Sequence, residues 1–141
     1  MSNLPVSGGC LCGEVSVTLT GDPIAVAVCH CTHCQKTAGS AFSVVLLVPA
    51  PLVQINGPVI GYADQANSGA AVTRTFCGRC GTQVETASDG TRAQQIRIVK
   101  AGLFAESGEF SPNLEIFCDR RRSWLPAVPG VAAFGGMPPA G

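Results

Sequence analysis

No stretch of this chain is apolar for long enough to cross a bilayer as a helix; the longest run, Phe42 to Ala50, is interrupted by Ser43 and Pro49. Charge is also scarce. Only 13% of the residues are Asp, Glu, Lys or Arg, nine basic against nine acidic, so no basic footprint invites a nucleic-acid backbone or an anionic membrane surface. Aromatic residues make up only 6% and include one Trp and one Tyr. Long helices are excluded by punctuation, because seventeen glycines and ten prolines are spread through all 141 residues. The start, Met1 to Gly9, has neither a basic segment nor an apolar core of the secretory kind, and the expectation is a reducing cytoplasm with no membrane and no nucleic-acid partner.

Cysteine, by contrast, is abundant and clustered. Seven of the eight fall into Cys10-Leu11-Cys12, Cys29-His30-Cys31-Thr32-His33-Cys34 and Cys77-Gly78-Arg79-Cys80-Gly81. In a reducing compartment such spacing points to metal or redox chemistry rather than to disulfides. Residues two or three apart on a turning chain can aim their thiolates at one point, and zinc accepts four of them tetrahedrally. Seven thiols fill one four-coordinate site and leave three. Four thiolates make a closed structural site, whereas three leave a position for water or substrate.

The spacing admits two pairings. Cys31 and Cys34 could join Cys77 and Cys80 in a ribbon-like site, leaving Cys10, Cys12 and Cys29. The more economical pairing keeps the neighbours Cys29, Cys31 and Cys34 together and places Cys10, Cys12, Cys77 and Cys80 on the other ion.

The fold expected is mainly β. Val15, Val17 and Leu19 alternate with Ser16, Thr18 and Thr20, as in a half-buried strand closed by Gly21-Asp22-Pro23. Ile24 to Cys31, Ala41 to Val48, Leu52 to Ile55, Val59 to Tyr62, Ala71 to Phe76, Gln83 to Thr86, Gln95 to Ala101 and Leu114 to Cys118 read as further strands. Gln35 to Ser40 reads as at most a short helical turn. One domain is expected over residues 1–126, followed by a Pro/Gly-rich tail, residues 127–141, that lies over the surface or frays and carries no chemistry.

Taken in order, Gly9-Cys10-Leu11-Cys12-Gly13-Glu14-Val15, Cys29-His30-Cys31-Thr32-His33-Cys34 with Gly39-Ser40-Ala41-Phe42, and Phe76-Cys77-Gly78-Arg79-Cys80-Gly81-Thr82 resemble the glutathione-dependent formaldehyde-activating enzymes, a family that includes centromere protein V. The late Ile116-Phe117 and Ser123-Trp124-Leu125 resemble its closing segment, so the likeness spans Gly8 to Pro126. The resemblance implies a β-tent fold of small coiled antiparallel sheets stabilised by two Zn2+ per chain. It places a structural zinc on Cys10, Cys12, Cys77 and Cys80 and a catalytic zinc on Cys29, Cys31 and Cys34. It also implies carbon-sulfur lyase chemistry, the formation or cleavage of S-(hydroxymethyl)glutathione, with glutathione as co-substrate and a small-molecule thiol and aldehyde as partners.

Three function classes follow: this lyase, a non-catalytic zinc-stabilised binding module, and a thiol redox sensor. His30 and His33 are expected to pack or hydrogen-bond, with His33 the better acid/base candidate. Arg120, Arg121 and Arg122 read as a solvated run that could also bind glutathione's carboxylates. Cys118 is expected to be a buried, inert small side chain, and Trp124 an anchor in the core.

Overall fold

The computed structural model describes residues 4–66 and 68–138. Strands β1 (Val6–Gly9), β2 (Ser16–Leu19) and β5 (Val53–Asn56) form a three-stranded antiparallel sheet in the order β1-β2-β5. The alternation read in the sequence is realised here. Val15, Val17 and Leu19 are fully buried, while Ser16 faces solvent. Gly8 of β1 runs so close to the turn Ala101–Phe104 that a Cβ there would lie 2.1 Å from the Leu103 carbonyl oxygen, so only glycine fits.

The second sheet has eight strands. These are β3 (Ala25–Cys29), β4 (Ser43–Pro49), β6 (Val59–Gln65), β7 (Ala71–Cys77), β8 (Gln83–Ser88), β9 (Ile96–Lys100), β10 (Leu114–Ile116) and β11 (Ala132–Ala133), in the order β11-β10-β3-β4-β9-β8-β7-β6. The strand β10 lies parallel to both β3 and β11, and the other pairings are antiparallel. The fold is mainly β, as expected, and no helix among the described residues is long and apolar enough to cross a membrane.

β4 explains how one sheet serves two purposes. Its apolar run is nearly continuous because both of its faces are covered. Leu46 and Val48 enter the main core with Val17, Leu19, Val26, Val84, Val99 and Phe104, where Phe104 meets Phe110 edge-on. Val45, one residue out of phase, joins a smaller cluster with Ala27, Cys29, Cys31, Cys34 and Ile116. The same alternation on β9 sends Val99 to the main core and sets Ile98 against the smaller cluster.

Four details differ from the sequence reading. Helix α1 (Thr32–Ala38) starts three residues earlier than the expected turn and runs for seven residues, because Cys31 caps it: its Sγ accepts the Cys34 N–H at 3.2 Å. Gly39, at φ +61°, then closes the helix. β1 has no counterpart in the sequence reading. Finally, the stretch after Pro126, exposed along much of its length, adds β11 to the sheet edge, and Phe134 donates its N–H to the Glu115 carbonyl at 3.0 Å. A second short helix, α2 (Asp89–Ala93), carries a capping box between Ser88 and Thr91.

Candidate metal centres

The turn between β1 and β2 and the turn after β7 are built alike. Cys10 and Cys77 each begin a tight loop closed by a glycine in the left-handed region, Gly13 at φ +85° and Gly81 at φ +81°. Each loop turns backbone N–H groups onto sulfur. Val15 donates to Cys10 Sγ at 3.2 Å, and Arg79 and Cys80 donate to Cys77 Sγ at 3.4 and 3.5 Å. Thr82 ties the two loops together, accepting the Leu11 N–H at 3.1 Å while its hydroxyl contacts Cys80 Sγ at 3.2 Å. Thr82, through its hydroxyl and then its backbone N–H, lowers the Cys80 thiol to about 5.

The sulfurs of Cys10, Cys12, Cys77 and Cys80 all lie within 4.8 Å of one another. Cys10 and Cys12 stand 3.6 Å apart and Cys12 and Cys77 3.8 Å, far beyond a disulfide bond, and all eight cysteines are free. Four sulfurs at about 2.3 Å from a tetrahedral zinc are about 3.8 Å from each other, so spacing and donor set both suit that ion. This grouping follows the more economical of the two pairings that the sequence admitted.

Cys29, Cys31 and Cys34 form the second group. Cys29 ends β3, Cys31 caps α1, and Cys34 sits in that helix's first turn; their three sulfurs also lie within 4.8 Å of one another. All three residues are buried. No further His, Cys, Asp or Glu ligand atom among the described residues completes this group. Hydrogen bonds from Cys29 and then Cys34 hold the Cys31 thiol at about 2, and the same contact with Cys31 pushes Cys29 up. Three thiols in contact share one favoured negative charge.

The triad opens on a cavity of about 300 Å3, lined also by His33, Arg74, Lys100 and apolar side chains of β4, β7, β9 and β10. None of the other four clustered cysteines lines it. Lys100, 8% exposed, donates to Ser43 Oγ at 3.1 Å. Burial pushes its ammonium down, Cys34 opposes that shift, and Arg74 adds to it. His33 donates from Nδ1 to Asp64 Oδ2 at 2.7 Å, and Arg74 donates from Nε to the same oxygen at 2.7 Å. Arg74, then His33, holds the Asp64 carboxyl at about 2. Lys100, Arg74 and Asp64 were not singled out from the sequence. The available signal was a lysine directly after the apolar pair Ile98-Val99 and an arginine on an alternating strand.

A third group lies behind the triad. His30, fully buried, donates from Nε2 to Glu115 Oε1 at 2.9 Å; Arg121 and the Val128 N–H donate to Glu115 Oε2 at 3.0 and 3.1 Å. Although burial opposes it, the His30 hydrogen bond, the Val128 N–H and the Arg121 charge together keep the Glu115 carboxyl below its ordinary value. The ligand atoms of His30, Glu115 and Cys118 come within 4.8 Å of one another, but Arg121 Nη2 also reaches Cys118 Sγ at 3.4 Å, so a guanidinium already supplies the positive charge.

This region corrects three sequence expectations. Cys118, expected to be buried, is half-buried and its sulfur accepts from Arg121. Arg121 turns inward while Arg120 and Arg122 are exposed, and none of the three lines the triad cavity. Trp124, expected in the core, is 71% exposed. Glu115→Ala strands a buried His30 and Arg121 without their anion, and we expect a loss of about 3–5 kcal/mol, read from urea unfolding midpoints. Glu115→Gln, which keeps an acceptor, should lose less.

The model of the glutathione-dependent formaldehyde-activating enzyme family matches residues 5–120. The chain belongs to this family. Relatives provisionally named glutathione-dependent formaldehyde-activating enzymes occur in Talaromyces marneffei, 34% identical over 77 residues (53% of this chain, 40% of that protein), and in Aspergillus flavus, 35% identical over 79 residues (53% and 40%). A third, in Podospora anserina, is 34% identical over 79 residues, 53% of this chain and 36% of that protein. The matched region thus spans about two fifths of these relatives' length. A crystal structure of a Rhodobacter sphaeroides protein superposes with a TM-score of 0.53 at 15% identity, covering 72% of this chain and 90% of that one, which shows a shared fold. In this family member two cysteine groups could hold metal, and one of them faces a cavity.

Proposed function

We propose that the protein is a zinc-dependent carbon-sulfur lyase that forms or cleaves thiol–aldehyde adducts such as S-(hydroxymethyl)glutathione. Cys10, Cys12, Cys77 and Cys80 would hold a structural zinc, and Cys29, Cys31 and Cys34 a catalytic one. The observation that carries this reading is the contrast between the two groups. Four sulfurs make a closed set away from the cavity, whereas three sulfurs open on the cavity with no fourth His, Cys, Asp or Glu ligand atom beside them among the described residues. A zinc held by three thiolates keeps one position open, where it can lower the pKa of a thiol or polarise an aldehyde oxygen.

The chain's own residues supply the surroundings. Lys100 and Arg74 place positive charge in the cavity wall beside the sulfurs, which offsets the negative charge of three thiolates. Asp64 fixes the His33 ring in that wall, and the Cys34 N–H holds Cys31 Sγ in place. In the synthetic direction a sulfur–carbon bond forms at the aldehyde carbon, the carbonyl π pair moves to oxygen, and the thiol's proton ends on that oxygen. The chemistry suits a reducing cytoplasm, where free thiols persist. A capped binding module is the weaker reading, because no ring nitrogen of His30 or His33 joins the three sulfurs within 4.8 Å.

The test is the exchange rate between formaldehyde plus glutathione and their adduct, followed by NMR exchange spectroscopy. With the zinc-loaded protein we expect exchange faster than the spontaneous rate, returning to that rate with Cys31→Ser. A rate equal to the spontaneous one with the wild-type protein would reject this substrate pair.

A further inference from the structure

The cavity beside the triad is larger and more apolar than a one-carbon aldehyde requires. A water molecule takes about 30 Å3 of liquid, and formaldehyde has only two heavy atoms. This cavity measures about 300 Å3, the lower end of small-molecule pockets. Val45, Leu47, Val72, Ile98, Ile116 and Phe117 line it, presented by four different strands and the turn after β10. Phe117 is held at φ +55°, a backbone region that bulky residues rarely adopt, and its N–H is tied to the Gly136 carbonyl at 3.0 Å.

The charged groups on the wall also have partners within the protein. Arg74 donates to Asp64, His33 donates to the same carboxylate, and Lys100 donates to Ser43. The arginine run at 120–122 does not reach the cavity. Most of the lining is therefore hydrocarbon, and the space offers much to an alkyl or aryl group.

We infer that this cavity selects the substituent carried on the sulfur of the adduct, and that it takes an alkyl or small aryl group larger than the single carbon of formaldehyde. The inference rests on the carbon-sulfur reading for the identity of the adduct. The apolar group can arrive on the aldehyde or on the thiol, and the chemistry of recognition is the same.

The test begins with stable thioethers, which bind without reacting: S-methyl-, S-propyl- and S-pentylglutathione, with methyl pentyl sulfide as the probe that carries the alkyl group without the peptide. Zinc-loaded protein with labelled methyl groups gives both affinity and location. We expect about fourfold tighter binding per added methylene until the cavity is filled. The shifts should concentrate on Val45, Leu47, Val72 and Ile98, and methyl pentyl sulfide should shift the same methyls. Filling the space with Ile98→Trp should flatten the series; Val72→Phe is the second filling variant if the first does not fold, judged by circular dichroism. An affinity independent of chain length, or shifts elsewhere on the protein, would overturn the inference.

Exchange rates for pentanal with glutathione and for pentanethiol with formaldehyde then assign the apolar group to one reactant. If the thioether series behaves as expected while no pair is accelerated, the cavity preference stands and the lyase reading falls. If formaldehyde and glutathione are accelerated and the series is flat, the lyase reading stands and this inference falls.

Discussion

Cys77→Ser should abolish folding. The residue is 1% exposed, it ends β7, and its sulfur lies 3.8 Å from that of Cys12, which belongs to the turn between β1 and β2. The four-cysteine group thus joins the small sheet to the large one, and Cys10 and Cys77 are themselves part of the main core. Structural zinc is worth about 10–16 kcal/mol of apparent binding free energy in small zinc-dependent folds. A domain of this size has only about 5–15 kcal/mol of net stability. Serine cannot replace the thiolate as a ligand, so most of the stability should go with it. We expect no cooperative thermal transition and little soluble protein, and a strong chelator should unfold the wild-type chain in the same way. A Cys77→Ser protein melting cooperatively within a few degrees of wild type would show that this cluster does not hold the fold.

Cys31→Ser should have the opposite profile, with activity lost and the fold kept. The group it belongs to lies in the smaller apolar cluster, and no sheet depends on it for closure. The local role of Cys31 as the N-cap of α1 is one that serine fills well, since its hydroxyl accepts the same N–H. The expected protein keeps its far-ultraviolet circular dichroism, binds one zinc fewer per chain, and returns adduct exchange to the spontaneous rate. Elemental analysis on folded, gel-filtered protein reads the metal count. Unfolding of Cys31→Ser alongside a folded Cys77→Ser would reverse the structural and catalytic assignments.

The strands were legible because alternation and punctuation are local properties. β2 shows its period directly, and β4 reads as one apolar run because it has a core on each face. The short strands were not legible. β1 contains two glycines in four residues and β11 has only two residues, so both exist through their neighbours' edges rather than through propensity. The onset of α1 was missed because its cap is a cysteine, a residue more readily read as a ligand than as a helix start.

At the site, the cysteine groups were visible in the spacing, but the polar groups around them come from distant strands. Asp64 and Arg74 meet His33 only because β6 and β7 pair and pack over α1's first turn. Glu115 and Arg121 likewise form an internal pair that looked from the sequence like an ordinary strand residue and a solvated basic run. Trp124 carried the opposite lesson: a large apolar side chain just after an arginine run, it lies 71% exposed and outside both apolar clusters.

The measurement that tests the central claim most directly is the electronic spectrum of the Co2+-substituted protein during titration with a small thiol. Two cobalt ions per chain with thiolate charge-transfer bands are expected, and added thiol should change the bands of one ion only. That response should vanish in Cys31→Ser, because a closed four-sulfur site has no position to offer. A single cobalt per chain, or two ions that both ignore the thiol, would contradict an open three-cysteine centre facing the cavity.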